Sequence, residues 1–118
     1  YFLPNGSWNT YNLIYFIVTF LKNPFYFFFL YIIYSPLLDK YYVGETNDIQ
    51  RRIPEHQTRT FKGSYTSQTT DWELKLSLLF ENINQARKAE AFIKRMNSKK
   101  FIEKLILDSD WFLEKFNS

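Results

Sequence analysis

From Phe27 to Tyr34 every position is apolar or aromatic, and the run does not alternate. So short a run without a period of two fits a strand buried on both faces. A buried helix is the rival, but Ser35-Pro36 and Asp39 bound the run as a strand and turn. Lys40–Glu45 then reads as the return strand of a hairpin, with Pro36–Asp39 as its loop. Gly44 stands where this strand meets a helix, which predicts a tight backbone or the close approach of another group. Thr46 or Asn47 is expected to cap that helix, Asp48 suits its positive end, and Ile49 and Ile53 share its inner face. Pro54 is expected to kink or stop it. Gln57–Thr70 is polar, rich in Thr and Ser, and reads as a loop. Trp72–Glu81 is the third strand, although Leu74, Leu76 and Leu78 alternate only roughly. Asn82 or Asn84 caps a helix running to about Met96. Asn97-Ser98 breaks it, and Lys99–Leu107 is the last element assigned.

On a helical wheel, at roughly 100° per residue, Ile83, Ala86, Ala89, Ile93 and Met96 share one apolar sector. Glu90 falls inside it, between Ile83 and Ala86, while Arg87, Lys88, Lys94 and Arg95 point away. A core-facing carboxylate is costly unless it is paired, with Arg52 for example, or bound to a metal. Arg52 and His56 are four apart, so they share a face of the first helix. An arginine there can hold a phosphate bidentately. Tyr31 and Tyr42, taken alone, read as packing residues of strands.

The first thirty residues differ from the rest. Lys22 is the only charged side chain among them, and 26 of the 27 charged residues follow (15 + 12 = 27). Leu13–Leu21 is a short apolar run, and Lys22-Asn23-Pro24 divides it from the next. A membrane span needs roughly 18–20 consecutive apolar residues, so a membrane anchor ranks lowest. A secretory signal lacks its basic start and small-residue cleavage site. Residues 1–26 are therefore set apart from a domain over 27–118. They read as a translated stretch outside the functional coding sequence, rich in the residues of AT-rich codons, or as a peripheral hydrophobic helix. The length of 118 residues argues for a single domain core. With no cysteine, a disulfide framework and a thiolate metal site are excluded, and a reducing cytoplasm is the compatible location. A net charge of +3 permits a polyanionic partner without demanding one.

Several short motifs, in order, resemble the GIY-YIG nuclease family and its small single-domain bacterial members. Phe29-Leu30-Tyr31 corresponds to the first signature, with phenylalanine in place of glycine, and Tyr42-Val43-Gly44 to the second. Thr46 to His56 carries the family's spacing from signature to arginine to histidine. Tyr65-Thr66 and Asp71-Trp72-Glu73-Leu74 follow. Gln85 to Glu90 looks like the helix that bears the metal-binding glutamate, and Lys99 to Ile106 like the closing helix. The match covers roughly residues 28–107.

The resemblance implies an α+β fold, a three-stranded antiparallel sheet flanked by helices. It implies a metal-dependent endonuclease that hydrolyses DNA phosphodiesters; selectivity for DNA structure rather than sequence is a separate expectation. Tyr31, Tyr42, Arg52, His56 and Glu90 would be catalytic. Glu90 would hold one Mg or Mn ion, with water and phosphate completing the shell. Tyr31 would orient or deprotonate the attacking water, Tyr42 would assist, Arg52 would offset phosphoryl charge and His56 would tune the tyrosines. Gly44 would be structural at the site. Arg51, Lys94, Lys99 and Lys100 would contact the DNA backbone. No small-molecule cofactor is implied, and a protein partner or homodimer stays open. Glu45 follows the second signature where some relatives carry lysine, and could weaken DNA binding or add a metal contact. The rival reading is a catalytically weak or inactive nucleic-acid-binding module.

Overall fold

A computed structural model describes residues 27–58 and 62–117. The expectations for residues 1–26 lie outside the described residues. Strand β1 (Phe28–Ser35) is central in a three-stranded antiparallel sheet, with β2 (Lys40–Thr46) on one side and β3 (Glu73–Phe80) on the other. Four helices accompany it among the described residues: α1 (Ile49–Gln57), α2 (Ile83–Met96), α3 (Lys99–Leu107) and α4 (Asp110–Asn117). A 3₁₀ turn, Tyr65–Gln68, lies within the segment that the sequence marks as loop.

The unbroken apolar run of β1 has a direct cause, since both its faces are covered. Leu30 and Ile32 pack with Val43, Leu76, Leu78 and Phe80 under Ala86, Ala89 and Ile93 of α2. Phe29, Tyr31 and Ile33 pack on the opposite face with Ile49 and Ile53 of α1 and with Trp72. The imperfect alternation of β3 also has a cause. Ile32 pairs with Leu76 but Ile33 with Leu74, so Lys75 is an extra residue, a bulge. Leu74 thereby joins the face of Ile33, while Leu76 and Leu78 face α2.

Three local expectations are corrected. Asp48, not Thr46 or Asn47, caps α1, and its carboxylate accepts the Arg51 N–H at 3.1 Å. Thr46 serves one step earlier, accepting the Asp48 N–H at 3.0 Å. Pro54 does not stop α1, which runs on to Gln57. Pro54 and Gln50, to whose carbonyl a proline at 54 cannot donate, are both exposed residues. Met96, placed in the apolar sector, is 46% exposed because α2 ends there, with Asn97 left-handed at φ 46°.

Helix α4 was not assigned from the sequence. Its Trp111, Phe112 and Phe116 form an aromatic cluster with Phe92 of α2 and Phe101 of α3. Phe112 is fully buried. Phe112→Ala should therefore cost about 3–5 kcal/mol of stability, read from urea unfolding. A loss below about 1 kcal/mol would mean that α4 is not docked.

Candidate active site

Register places Tyr31 between Gly44 on β2 and Ser77 on β3. Two small neighbours leave room for the phenol to lie across the sheet. A Cβ at position 44 would sit 2.5 Å from the Tyr31 hydroxyl oxygen and 2.6 Å from Cζ. Gly44 is thus required for space, not for an unusual backbone, and the close approach expected at this glycine is Tyr31 itself.

Tyr31 is 1% exposed, and its hydroxyl lies 2.7 Å from Nε2 of buried His56. Nδ1 of His56 lies 2.9 Å from Oγ1 of buried Thr66. Helix α1 supplies the histidine, because Ile49, Ile53 and His56 all fall on its buried face. Thr66 is fixed from behind, since Trp72 Nε1–H donates to its carbonyl at 2.8 Å. The Asp71 carboxylate accepts from Ser35, Thr69 and the Leu37 N–H, and so joins the hairpin turn to the start of β3.

The site is tuned toward neutral forms. Burial pushes the Tyr31 phenol well above its usual range, and nearby Tyr42 adds to the effect. Arg52 opposes it, while Glu90 and Glu55 reinforce it. His56 is lowered from 6.5 to about 4, mainly by burial and then by the positive charge of Arg52. A base role for Tyr31 as a phenolate needs a cation that lowers its pKa. Arg52 acts in that direction, but burial outweighs it.

Tyr42 is half-buried and completes the ring cluster, with its centroid 6.3 Å from Tyr31 and 5.3 Å from His56. Arg52, 30% exposed, lies beside Glu55 at 3.8 Å. Glu90 is neither deep in the core nor open to solvent, with its side chain 18% exposed. It pairs with Lys94 one helical turn on, not with Arg52. The Lys94 ammonium also lies 5.8 Å from the centroid of the Tyr42 ring, so it links Glu90 to the tyrosines. The Tyr31 phenol feels both charges, Arg52 lowering its pKa and Glu90 raising it.

The other predicted contacts are dispersed. Arg51 is exposed and beside Glu55 at 3.6 Å. Lys99 is held by Asp39 at 2.7 Å. Lys100 is exposed on the first turn of α3. Tyr34 and Tyr41 are ring neighbours 4.7 Å apart. Thr66 is a site residue that the sequence motifs leave without a role. Its one sequence signal was the Tyr65-Thr66 pair, and only the fold shows that it ends the chain from Tyr31 through His56.

Residues 27–104 match the family model described as the GIY-YIG catalytic domain. The chain belongs to the GIY-YIG family. No curated protein and no solved structure matches it. GIY-YIG domains are nuclease domains that generally use divalent metals. Among the described residues no three His, Cys, Asp or Glu side chains cluster as a metal site. A single half-buried carboxylate still suits Mg²⁺ or Mn²⁺, which keep several waters and take one or two carboxylates with substrate phosphate. Glu45 adds an observation. One of its oxygens meets Arg87 at 3.2 Å, and the other is buried without a hydrogen-bond partner among the described residues. Arg87 lies three residues before Glu90 on α2, so this second carboxylate borders the same helix face.

Two outcomes follow from this geometry. Gly44→Ala should lose about 1–3 kcal/mol, the cost of overpacking, or displace the Tyr31 ring; unaltered unfolding together with an unaltered ring environment would contradict it. The chain has one histidine, so its imidazole NMR signal reports His56 alone and should titrate near pH 4. Because the folded value lies below the unfolded value of 6.5, the unfolded chain takes the proton first. The His56 contribution is therefore fully present above about pH 6.5. It falls as pH drops toward 4, by on the order of 3 kcal/mol. Urea midpoints across that range test the sign.

Proposed function

We propose that this domain is a metal-dependent endonuclease cutting DNA, with Arg52, Tyr42 and Glu90 at the substrate and Tyr31, His56 and Thr66 behind them. The observation that carries the reading is the unbroken contact from the Tyr31 hydroxyl through His56 to Thr66, beside one arginine and one rim carboxylate. A neutral phenol can move two protons at once. Its oxygen accepts one from the attacking water, entering between Tyr42 and Arg52, as its O–H gives one to His56 Nε2. No free phenolate is needed, which burial would oppose. This direction requires Nδ1–H of His56 to donate to Thr66, so Thr66 sets the tautomer. The arriving phosphate offsets the charge of Arg52 and so relieves one of the two causes that hold His56 neutral.

Arg52 stabilises charge developing on the phosphoryl oxygens. Glu90 would hold the divalent ion, with Glu45 as the neighbouring acid. When bound, the ion supplies positive charge to the phosphate and the leaving oxygen. Lys94 pairs with Glu90 and reaches the Tyr42 ring. A preference for DNA structure over sequence belongs to the same proposal, as does a cytoplasmic setting, with which a chain free of cysteine is compatible. Among the described residues no helix is long and apolar enough to cross a membrane.

The test is the full chain with Mg²⁺ or Mn²⁺ on flapped, branched and duplex DNA. Arg52→Ala should lower the cleavage rate by about 10²–10³, and Glu90→Gln should remove metal-dependent cutting. Cleavage that survives both changes would overturn the mechanism. Salt-sensitive DNA binding with no product under any metal would favour the rival, a module that binds without cutting.

A further inference from the structure

A groove of about 470 Å³ borders β2, with Lys40, Tyr42, Tyr65, Lys94, Asn97 and Lys99 on its walls. β2 is an edge strand of the sheet. The volume is in the range of small-ligand clefts, about 300–1,000 Å³. One wall is unusual. Tyr65 is 42% exposed and, of the large apolar side chains left exposed among the described residues, it alone lines the groove. Its ring stacks on Tyr42 at a centroid distance of 6.3 Å and an interplanar angle of 19°. Trp72 touches it at a tilt of 43° and 6.5 Å. The ring is thus held in a fixed plane by its neighbours yet stays open to solvent. The lining carries three lysines and one aspartate; Lys99 and the Tyr34 hydroxyl hold that aspartate, and Lys94 is paired with Glu90, which lies outside the lining.

We propose that this groove is a subsite for one unpaired nucleotide next to the scissile phosphate, with its base stacked on Tyr65 and its backbone beside Lys40 and Lys94. The class of ligand rests on the nuclease reading above. A flat ring fixed beside lysine side chains is the chemistry that recognises a base without regard to its identity. A base inside a duplex is already stacked on both sides and cannot offer a face to Tyr65. The groove therefore favours substrates with an unpaired nucleotide at the cut, such as a flap or a bulge, and disfavours continuous duplex. Tyr42 belongs to both features, so a base on Tyr65 is one ring away from the catalytic cluster.

The test uses the full chain and a labelled flapped DNA duplex, with chelator present so that binding is read without cleavage. One DNA carries a normal first flap nucleotide, and the other an abasic analogue there. The unaltered chain should bind the abasic DNA about tenfold more weakly. Tyr65→Ala should bind the normal flap about tenfold more weakly and show no further loss on the abasic DNA. Tyr65→Phe keeps the ring and should retain the abasic penalty, which separates stacking from a folding defect. Binding of the normal flap by Tyr65→Ala within twofold of the unaltered chain would overturn the subsite. An abasic penalty of equal size with and without the ring would do the same. Cleavage assayed separately with metal tests the nuclease reading. A base-stacking result without cleavage would keep the subsite and remove that reading, and cleavage without a base effect would do the reverse.

Discussion

The Tyr31 phenol occupies the space that any side chain at position 44 would need, and the rest of the site is arranged around that placement. Small residues on both neighbouring strands let the ring lie across the sheet, where α1 covers it and Trp72 closes the same apolar layer. Burial then decides its chemistry. A buried phenol stays protonated and must give its O–H to a partner, and His56 is that partner. The histidine is pushed toward its neutral form by the same burial and by Arg52. The pair is therefore neutral in the resting state, with charge confined to the rim, where Arg52, Glu90 and Lys94 remain partly accessible.

The two faces of the sheet divide the work. The α2 face holds the larger apolar cluster, extended by the aromatic side chains of α3 and α4. The α1 face carries a smaller apolar layer into which the polar chain of Tyr31, His56 and Thr66 is set. Glu90 belongs to the first side by its helix but acts on the second, since Lys94 reaches from it to the Tyr42 ring at the edge of the sheet. Because β2 is an edge strand, one helix can serve both faces. Asp71 and Trp72 hold the segment before β3 against the hairpin, which fixes Thr66 and Tyr65 where the site needs them.

What the sequence by itself determined was what local rules can carry. The non-alternating run of β1 announced burial on both faces. The turn at Pro36–Asp39 set the hairpin, and the ordered motifs carried the family and its fold. The Arg52–His56 face was legible because helical spacing is nearly constant, whereas Glu90, read as core-facing on its wheel, is partly exposed. What only the tertiary structure decided were contacts between residues far apart in the chain. The pairing of Tyr31 with His56 spans 25 residues, and that of Glu45 with Arg87 spans 42. The bulge at Lys75 arises from strand register, which a leucine pattern alone does not encode. Pro54 looked like a helix stop, but it lies on the exposed side of α1, and exposure is a property of the fold. The protonation of Tyr31 and His56 follows from burial depth and from Arg52. Residue identity names the groups that can ionise, and their three-dimensional surroundings determine whether they do.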